Sequence, residues 1–382
     1  MASNVPVIKF GIREITWSDY NFKTPILLQD QNGPCPLIAL INTLLLKHEI
    51  LNKNTVFDGL LFDDIQIAKV KNVESLKDFL RSRKQDGIEL EEILARTGDL
   101  LLVFGNDKSS EFNVDKLLEG LPKLHTGLSV DPDLTNGTFP NGDISSQLFK
   151  IFELRLRHGW CIDEIKISSK DQNDIQLEVL RLLHDLKTFD KVQDFLLLDV
   201  NELNEPNEEE KQRIRRDQNL VNKWLKDNQS QLTTIGLGRL NSEMEAEQLV
   251  VFFRNNHFNS LFKKSDHEFY LLITDDSFRE TPIVWQSLNS VKGNEDLFFD
   301  GEFCPIFDTN ITAKESLDND YLLMKKLQEE EDIHLAKKLQ KNYHESEKEN
   351  GKLLKKNISQ KSSTSSQKET KKEKKLKWKW FK

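Results

Sequence analysis

Cys35 lies between two prolines at the head of an almost unbroken apolar run, QDQNGPCPLIALINTLLLK (29–47). A thiol attacks as its thiolate, and a free cysteine near neutral pH is mostly protonated. A place in the first turn of a helix lowers that pKa, because backbone N–H groups and the helix dipole favour the anion. Asn32-Gly33-Pro34 is turn chemistry and Pro36 suits the first position of a helix, so the residues put Cys35 where a loop becomes a helix. Packing as a small core residue is the competing reading. Nucleophilic chemistry also needs a base, normally a histidine brought from elsewhere in the chain.

Eight histidines are available. His48, His125 and His184 stand in helical or loop context with no polar residues grouped about them. His334 and His344 belong to a charged C-terminal segment, and His267 falls in a hairpin turn, KKSDHE. His257 follows VVFFRNN and opens the next strand, which holds a base rigid at a sheet edge. His158, in RHGWC, is the second choice; beside Trp160 it also reads as a packed histidine. The remaining requirement is an oxyanion donor. Gln29, six residues before Cys35, supplies a neutral amide on the approaching loop, and the N–H of Cys35 is a second donor. No residue that orients His257 is identified; Asn259 and Asp275 are near it in sequence.

The elements that must hold these groups follow from periodicity. VPVIKFGI and REITW predict a strand or two before the loop, and 35–47 predicts a helix apolar on every side, hence central and buried. Residues 74–96 have helical spacing with a break near Gly87, and 104–145 read as loops around short elements. Residues 175–230 read as two or three amphipathic helices. QLVVFFRNN (248–256), HFNSLFKK (257–264) and EFYLLITD (268–275) predict a small antiparallel sheet, with PIVWQSL and DLFFDGEF as short further strands.

The 382 residues carry a net charge of −9. Residues 351–382 hold 12 lysines against 2 glutamates, a tail of +10 on a body of −19. An acidic body with a basic appendage is not a nucleic-acid-binding fold. Three scattered cysteines exclude a disulfide framework or a zinc ribbon, and no cofactor or metal site is read. The start, MASNVPVIKF, lacks a signal-peptide pattern, and no apolar run reaches the roughly 18 residues of a membrane span. The expected address is cytoplasmic, with the nucleus also open.

Gln29-Asp-Gln-Asn-Gly-Pro-Cys35-Pro-Leu-Ile-Ala together with FFRNNHF (252–258) resembles the MINDY family of cysteine deubiquitinases. HGW (158–160), TTIGL (233–237), YLLITD (270–275) and VWQSL (284–288) occur in the matching order, while 49–145 and 165–230 look divergent. The resemblance implies a papain-like cysteine isopeptidase of α+β build acting on polyubiquitin, with a preference for long chains linked through lysine forty-eight. It implies Cys35 as nucleophile, His257 as general base and Gln29 as the oxyanion-stabilising amide.

Within 315–343, Asp320–Gln328 and Asp332–Gln340 repeat with a 12-residue period. The second copy resembles the family's inverted ubiquitin-interacting helix, which implies ubiquitin contacts from Ile333, Leu335, Ala336 and Leu339. In the first copy Met324 replaces the central alanine, leaving Leu323 and Leu327 as a degenerate version; an amphipathic helix packing on the core is the bland alternative. The expected organisation is a catalytic domain over 1–310, a ubiquitin-interacting helix over 311–345 and a disordered basic tail over 346–382. The lysines and aromatics of KKEKKLKWKWFK (371–382) fit weak contact with an anionic membrane surface, a solvated tail or a nuclear localisation signal. The chain is expected to act as a monomer. A polyubiquitin-binding protein with the same fold and no turnover is the rival reading.

Overall fold

A computed structural model describes residues 7–29, 36–58, 63–106, 108, 111–163, 174–200, 207–293 and 296–307. The expectations placed on Cys35, on the helix of 311–345 and on the basic tail fall outside the described residues.

The chain opens with an antiparallel pair, β1 (Lys9–Trp17) and β2 (Phe22–Leu28), and the two-residue β3 (Ile88–Glu89) joins the far edge of β1. Between β2 and β3 run α1 (Pro36–Asp58) and α2 (Asp64–Ser82), the latter begun by Asp63, which accepts the N–H of Gln66 at 2.7 Å. Gly87, at φ 71°, makes the break expected there, because its left-handed backbone turns the chain from α2 into β3. Helix α3 (Leu90–Gly105) and the shorter α4 (Val114–Gly120), α5 (Lys123–Thr126) and α6 (Ile144–Ile151) follow. After β4 (Leu156–His158) comes a helical lobe of α7 (Asp174–Leu186), α8 (Phe189–Leu197) and α9 (Glu208–Asp227). It is packed around Trp160, Leu183, Val192 and Val221. Helix α10 (Thr234–Glu243) leads into β5 (Gln248–Arg254), β6 (His257–Ser265), β7 (Glu268–Leu272), β8 (Trp285–Ser287) and β9 (Phe298–Phe299).

The second sheet is larger than its sequence announced and is not wholly antiparallel. It has six strands in the order β4-β5-β6-β7-β8-β9, and β4 runs parallel to β5 from Leu156↔Val251 to His158↔Phe253. A parallel partner needs no hairpin and arrives from about 95 residues away, so local alternation carries no sign of it.

Helix α1 is buried as its composition requires: Leu37 through Ile41 and Leu44 through Leu46 are each at most 4% exposed. Its apolar surroundings come from both sheets. Leu27 of β2 and Val251, Phe253 and Phe258 of β5 and β6 join Leu37–Leu45 in one cluster. Leu46 joins Trp17, Leu28, Phe262 and Trp285 in another. At roughly 1.5–3 kcal/mol for each fully buried Leu or Ile, this helix is the largest single anchor between the two sheets. Any displacement of it would be felt on both sides.

Candidate active site

Two adjacent buried polar residues of α1 reach strands of the two sheets. Asn42, fully buried, takes the N–H of Leu27 on its Oδ1 at 2.8 Å and donates its Nδ2 to the carbonyl of Leu27 at 3.0 Å. β2 is the edge strand of its sheet, so without Asn42 those backbone groups would be buried and unpaired. Two residues on, the same edge is closed differently. The N–H of Gln29 donates to the carbonyl of Thr274 at 2.7 Å, and the N–H of Asp276 donates to the carbonyl of Gln29 at 2.9 Å. Gln29 thus forms a parallel bridge to Asp275, just beyond the end of β7.

The neighbouring residue, Thr43, is also fully buried, and its Oγ1 lies 2.8 Å from Oγ of Ser260 on β6. Ser260 is three residues along the strand that His257 begins. β5 and β6 are joined by Asn255-Asn256, at φ 51° and 60°. Two successive left-handed residues make the hairpin turn whose twist matches the strands, and asparagine tolerates that conformation better than other residues with a side chain. Arg254 and His257 are the pair that closes the hairpin. The Arg254 guanidinium donates to the carbonyls of Ser230 and Val291, each at 2.9 Å, and the N–H of Asn255 donates to Gln231 Oε1 at 2.9 Å. His257 is half-buried at the head of a pinned strand.

The β6–β7 ladder ends at Leu261↔Leu271. Gln29 directly follows the end of β2, and His257 opens β6. Helix α1, tied to both strands, begins at Pro36, the residue after Cys35. The carboxylate of Asp275 accepts the N–H of Ser277 at 2.8 Å and so caps the short 3₁₀ turn Asp276–Phe278.

The other histidines separate cleanly. His158 is 2% exposed; its Nδ1 accepts the N–H of Trp160 at 3.1 Å, so the proton sits on Nε2, which donates to the carbonyl of Thr138 at 3.0 Å. Burial pushes its pKa down to about 4, against the weaker upward pull of the Thr138 carbonyl. Buried and hydrogen-bonded on both ring nitrogens, it fits the packed reading of the RHGWC motif. His267 sits exposed in the β6–β7 turn at φ 62°, as its KKSDHE context indicates.

His48 departs from the sequence reading. It lies in a buried polar group, 2.7 Å from Glu74 Oε2 and 2.9 Å from Asn52 Nδ2. Its partners come from α2 as well as from α1, and local sequence did not group them. Burial, the largest influence, holds its pKa below the ordinary value. The Cys161 thiol is buried, and desolvation pushes its pKa up to about 12, so it packs as an inert thiol. Cys304 is exposed on the turn after β9.

The sequence pattern of the MINDY deubiquitinases matches residues 8–303, the whole of both sheets. The chain belongs to the MINDY deubiquitinase family. It is 32% identical over 328 residues to ubiquitin carboxyl-terminal hydrolase MIY1 of Saccharomyces cerevisiae, covering 84% of this chain and 81% of that one. Ubiquitin carboxyl-terminal hydrolase MINDY-1 of Danio rerio is 26% identical over 370 residues, 87% of this chain and 59% of that one. An uncharacterized protein of the same yeast is 26% identical, covering 88% and 87%.

Two of the MINDY-like motifs, HGW and TTIGL, turn out to be one structural joint. Thr233 caps α10 by accepting the N–H of Gly236 at 3.0 Å, and its hydroxyl donates to the carbonyl of Cys161 at 2.7 Å. A Cβ on Gly236 would strike the Gly159 backbone, so glycine permits this contact. The joint fixes α10 beneath the sheet edge that carries His158.

Proposed function

We propose that this MINDY deubiquitinase is a papain-like cysteine isopeptidase in which Cys35 is the nucleophile, His257 the general base and Gln29 the oxyanion donor. The observation that carries the reading is the shared attachment to α1, whose first turn follows Cys35, of β2, which leads into Gln29, and of β6, which His257 opens. In this reading His257 takes the Cys35 thiol proton. The thiolate attacks the carbonyl carbon of ubiquitin's C-terminal glycine, and the Gln29 amide and the Cys35 N–H hold the resulting oxyanion. The isopeptide C–N bond then breaks, and the leaving lysine amine takes the proton from His257. Water, giving a proton to His257, attacks the thioester; the C–S bond breaks and the proton returns to Cys35.

The substrate is polyubiquitin, with long chains linked through lysine forty-eight preferred. The helix bearing Ile333, Leu335, Ala336 and Leu339, with Leu323 and Leu327 as a weaker copy, raises the effective concentration of such chains at the catalytic domain. The address is the cytoplasm.

Cleavage of long lysine-forty-eight-linked chains by wild type, Cys35→Ala, His257→Ala and Gln29→Ala tests this. Cys35→Ala and His257→Ala should abolish cleavage, and Gln29→Ala should lower kcat about 10²–10³-fold. A wild type that binds chains but never cleaves them would make the protein a polyubiquitin reader. Cleavage that survives Cys35→Ala would place the nucleophile elsewhere.

A further inference from the structure

We propose that Asn42 and Thr43, adjacent in α1, are positioning residues that set Gln29, just past the end of β2, and His257, at the start of β6, relative to the start of the helix. The proposal rests on the reaction assigned above. Most interior positions of α1 are apolar; among its described side chains Asn42 and Thr43 are the polar ones at 0% exposure, with His48 and Glu49 buried a turn further on at 4% and 7%. Being successive, Asn42 and Thr43 point about 100° apart, and each reaches a different sheet. Asn42 takes both backbone groups of one residue, Leu27, in the way a neighbouring strand would. Thr43 pairs side chain to side chain with Ser260, which is 1% exposed.

The node is short-armed. At about 3.3 Å per residue along a strand, Gln29 lies roughly 7 Å beyond Leu27, and His257 roughly 10 Å before Ser260. At 1.5 Å per residue along a helix, Pro36 lies about 9 Å from Asn42. A hydrogen bond fixed within a few tenths of an ångström at the centre therefore limits relative motion at all three ends. Apolar packing alone sets a helix's depth against a sheet more firmly than its sliding along it, since dispersion contacts are non-directional. Directional hydrogen bonds at the node stop the slide. A misplacement of 1 Å between reacting groups costs as much as 10²-fold in rate.

The variants are Thr43→Val, which keeps the shape and removes the hydroxyl; Thr43→Ser, which restores it; and Thr43→Val with Ser260→Ala, which leaves neither hydroxyl unpaired. Three readouts are taken: kcat and KM on ubiquitin chains, the pH profile of iodoacetamide alkylation at Cys35, and the melting temperature. Thr43→Val should lower kcat at least 10-fold with KM changed less than 3-fold. It should also move the Cys35 alkylation midpoint to higher pH, because the imidazole no longer sits where it stabilises the thiolate. Thr43→Ser should restore both. The double variant should melt close to wild type and remain slow.

A double variant that turns over at the wild-type rate with an unchanged alkylation profile would overturn the inference, leaving the Thr43–Ser260 pair as packing. Cys35-dependent turnover by wild type in that experiment would leave the assigned reaction standing. Wild type without Cys35-dependent turnover would overturn both.

Discussion

His158 offers a prediction whose size follows from its surroundings. It is 2% exposed, its Nδ1 is used by the N–H of Trp160, and its pKa is pushed from the ordinary 6.5 to about 4 by burial. A histidine whose folded pKa is lowered binds its proton more readily in the unfolded chain. Between pH 4 and 6.5 the unfolded state therefore holds the extra proton, and stability rises with pH there. The contribution is present above pH 6.5 and is lost as pH falls. Full protonation is worth about 3 kcal/mol, from a 2.5-unit difference. Between pH 7.5 and pH 5 the loss is about 2 kcal/mol. The perturbation is His158→Gln, whose amide does not titrate. Urea unfolding of wild type and variant, followed by tryptophan fluorescence, is measured at both pH values. At pH 7.5 the variant should be less stable by about 1–3 kcal/mol, because Trp160 loses its acceptor. At pH 5 that gap should shrink by about 2 kcal/mol. Acid-sensitive groups shared by both proteins cancel in the comparison. A gap unchanged between the two pH values would refute a buried, neutral His158. Chain cleavage should persist in the folded variant, and its complete loss would return His158 to candidacy as the base.

Two further outcomes follow from buried structure. Glu49 and Lys77, 7% and 6% exposed, form an ion pair at 2.9 Å whose glutamate also accepts the hydroxyl of Thr24. Lys77→Met should cost about 3–5 kcal/mol in urea unfolding by stranding the carboxylate, and Glu49→Leu added to it should recover much of that; equal losses in both proteins would contradict it. Gly236→Ala should lower the melting temperature by more than 5 °C, because its Cβ meets the Gly159 backbone. An unshifted melting curve would show that the α10 joint can open at no cost.

Much of this arrangement was legible in local sequence. The apolar run after Cys35 reads as a buried helix and is one, from Pro36. The three alternating runs after 248 are β5, β6 and β7, and His257 does open a strand. What local pattern missed is non-local. β4 pairs in parallel with a strand about 95 residues away. Helix α10 is held by a glycine-on-glycine contact that no periodicity encodes. His48 draws its partner Glu74 from another helix. Asn42 and Thr43 look like interruptions of an apolar helix in one dimension and become tethers to the two sheets in three. The Asn255-Asn256 pair carried a usable signal, since two residues tolerant of positive φ between alternating runs specify a tight hairpin.

The most direct test of the central claim is intact-mass and peptide-mapped analysis of the full chain treated with ubiquitin bearing a C-terminal electrophile. The expected product is one ubiquitin adduct, mapped to Cys35, absent in Cys35→Ala and formed far more slowly in His257→Ala. An adduct on Cys304 or Cys161, or one formed at the wild-type rate without His257, would contradict the account.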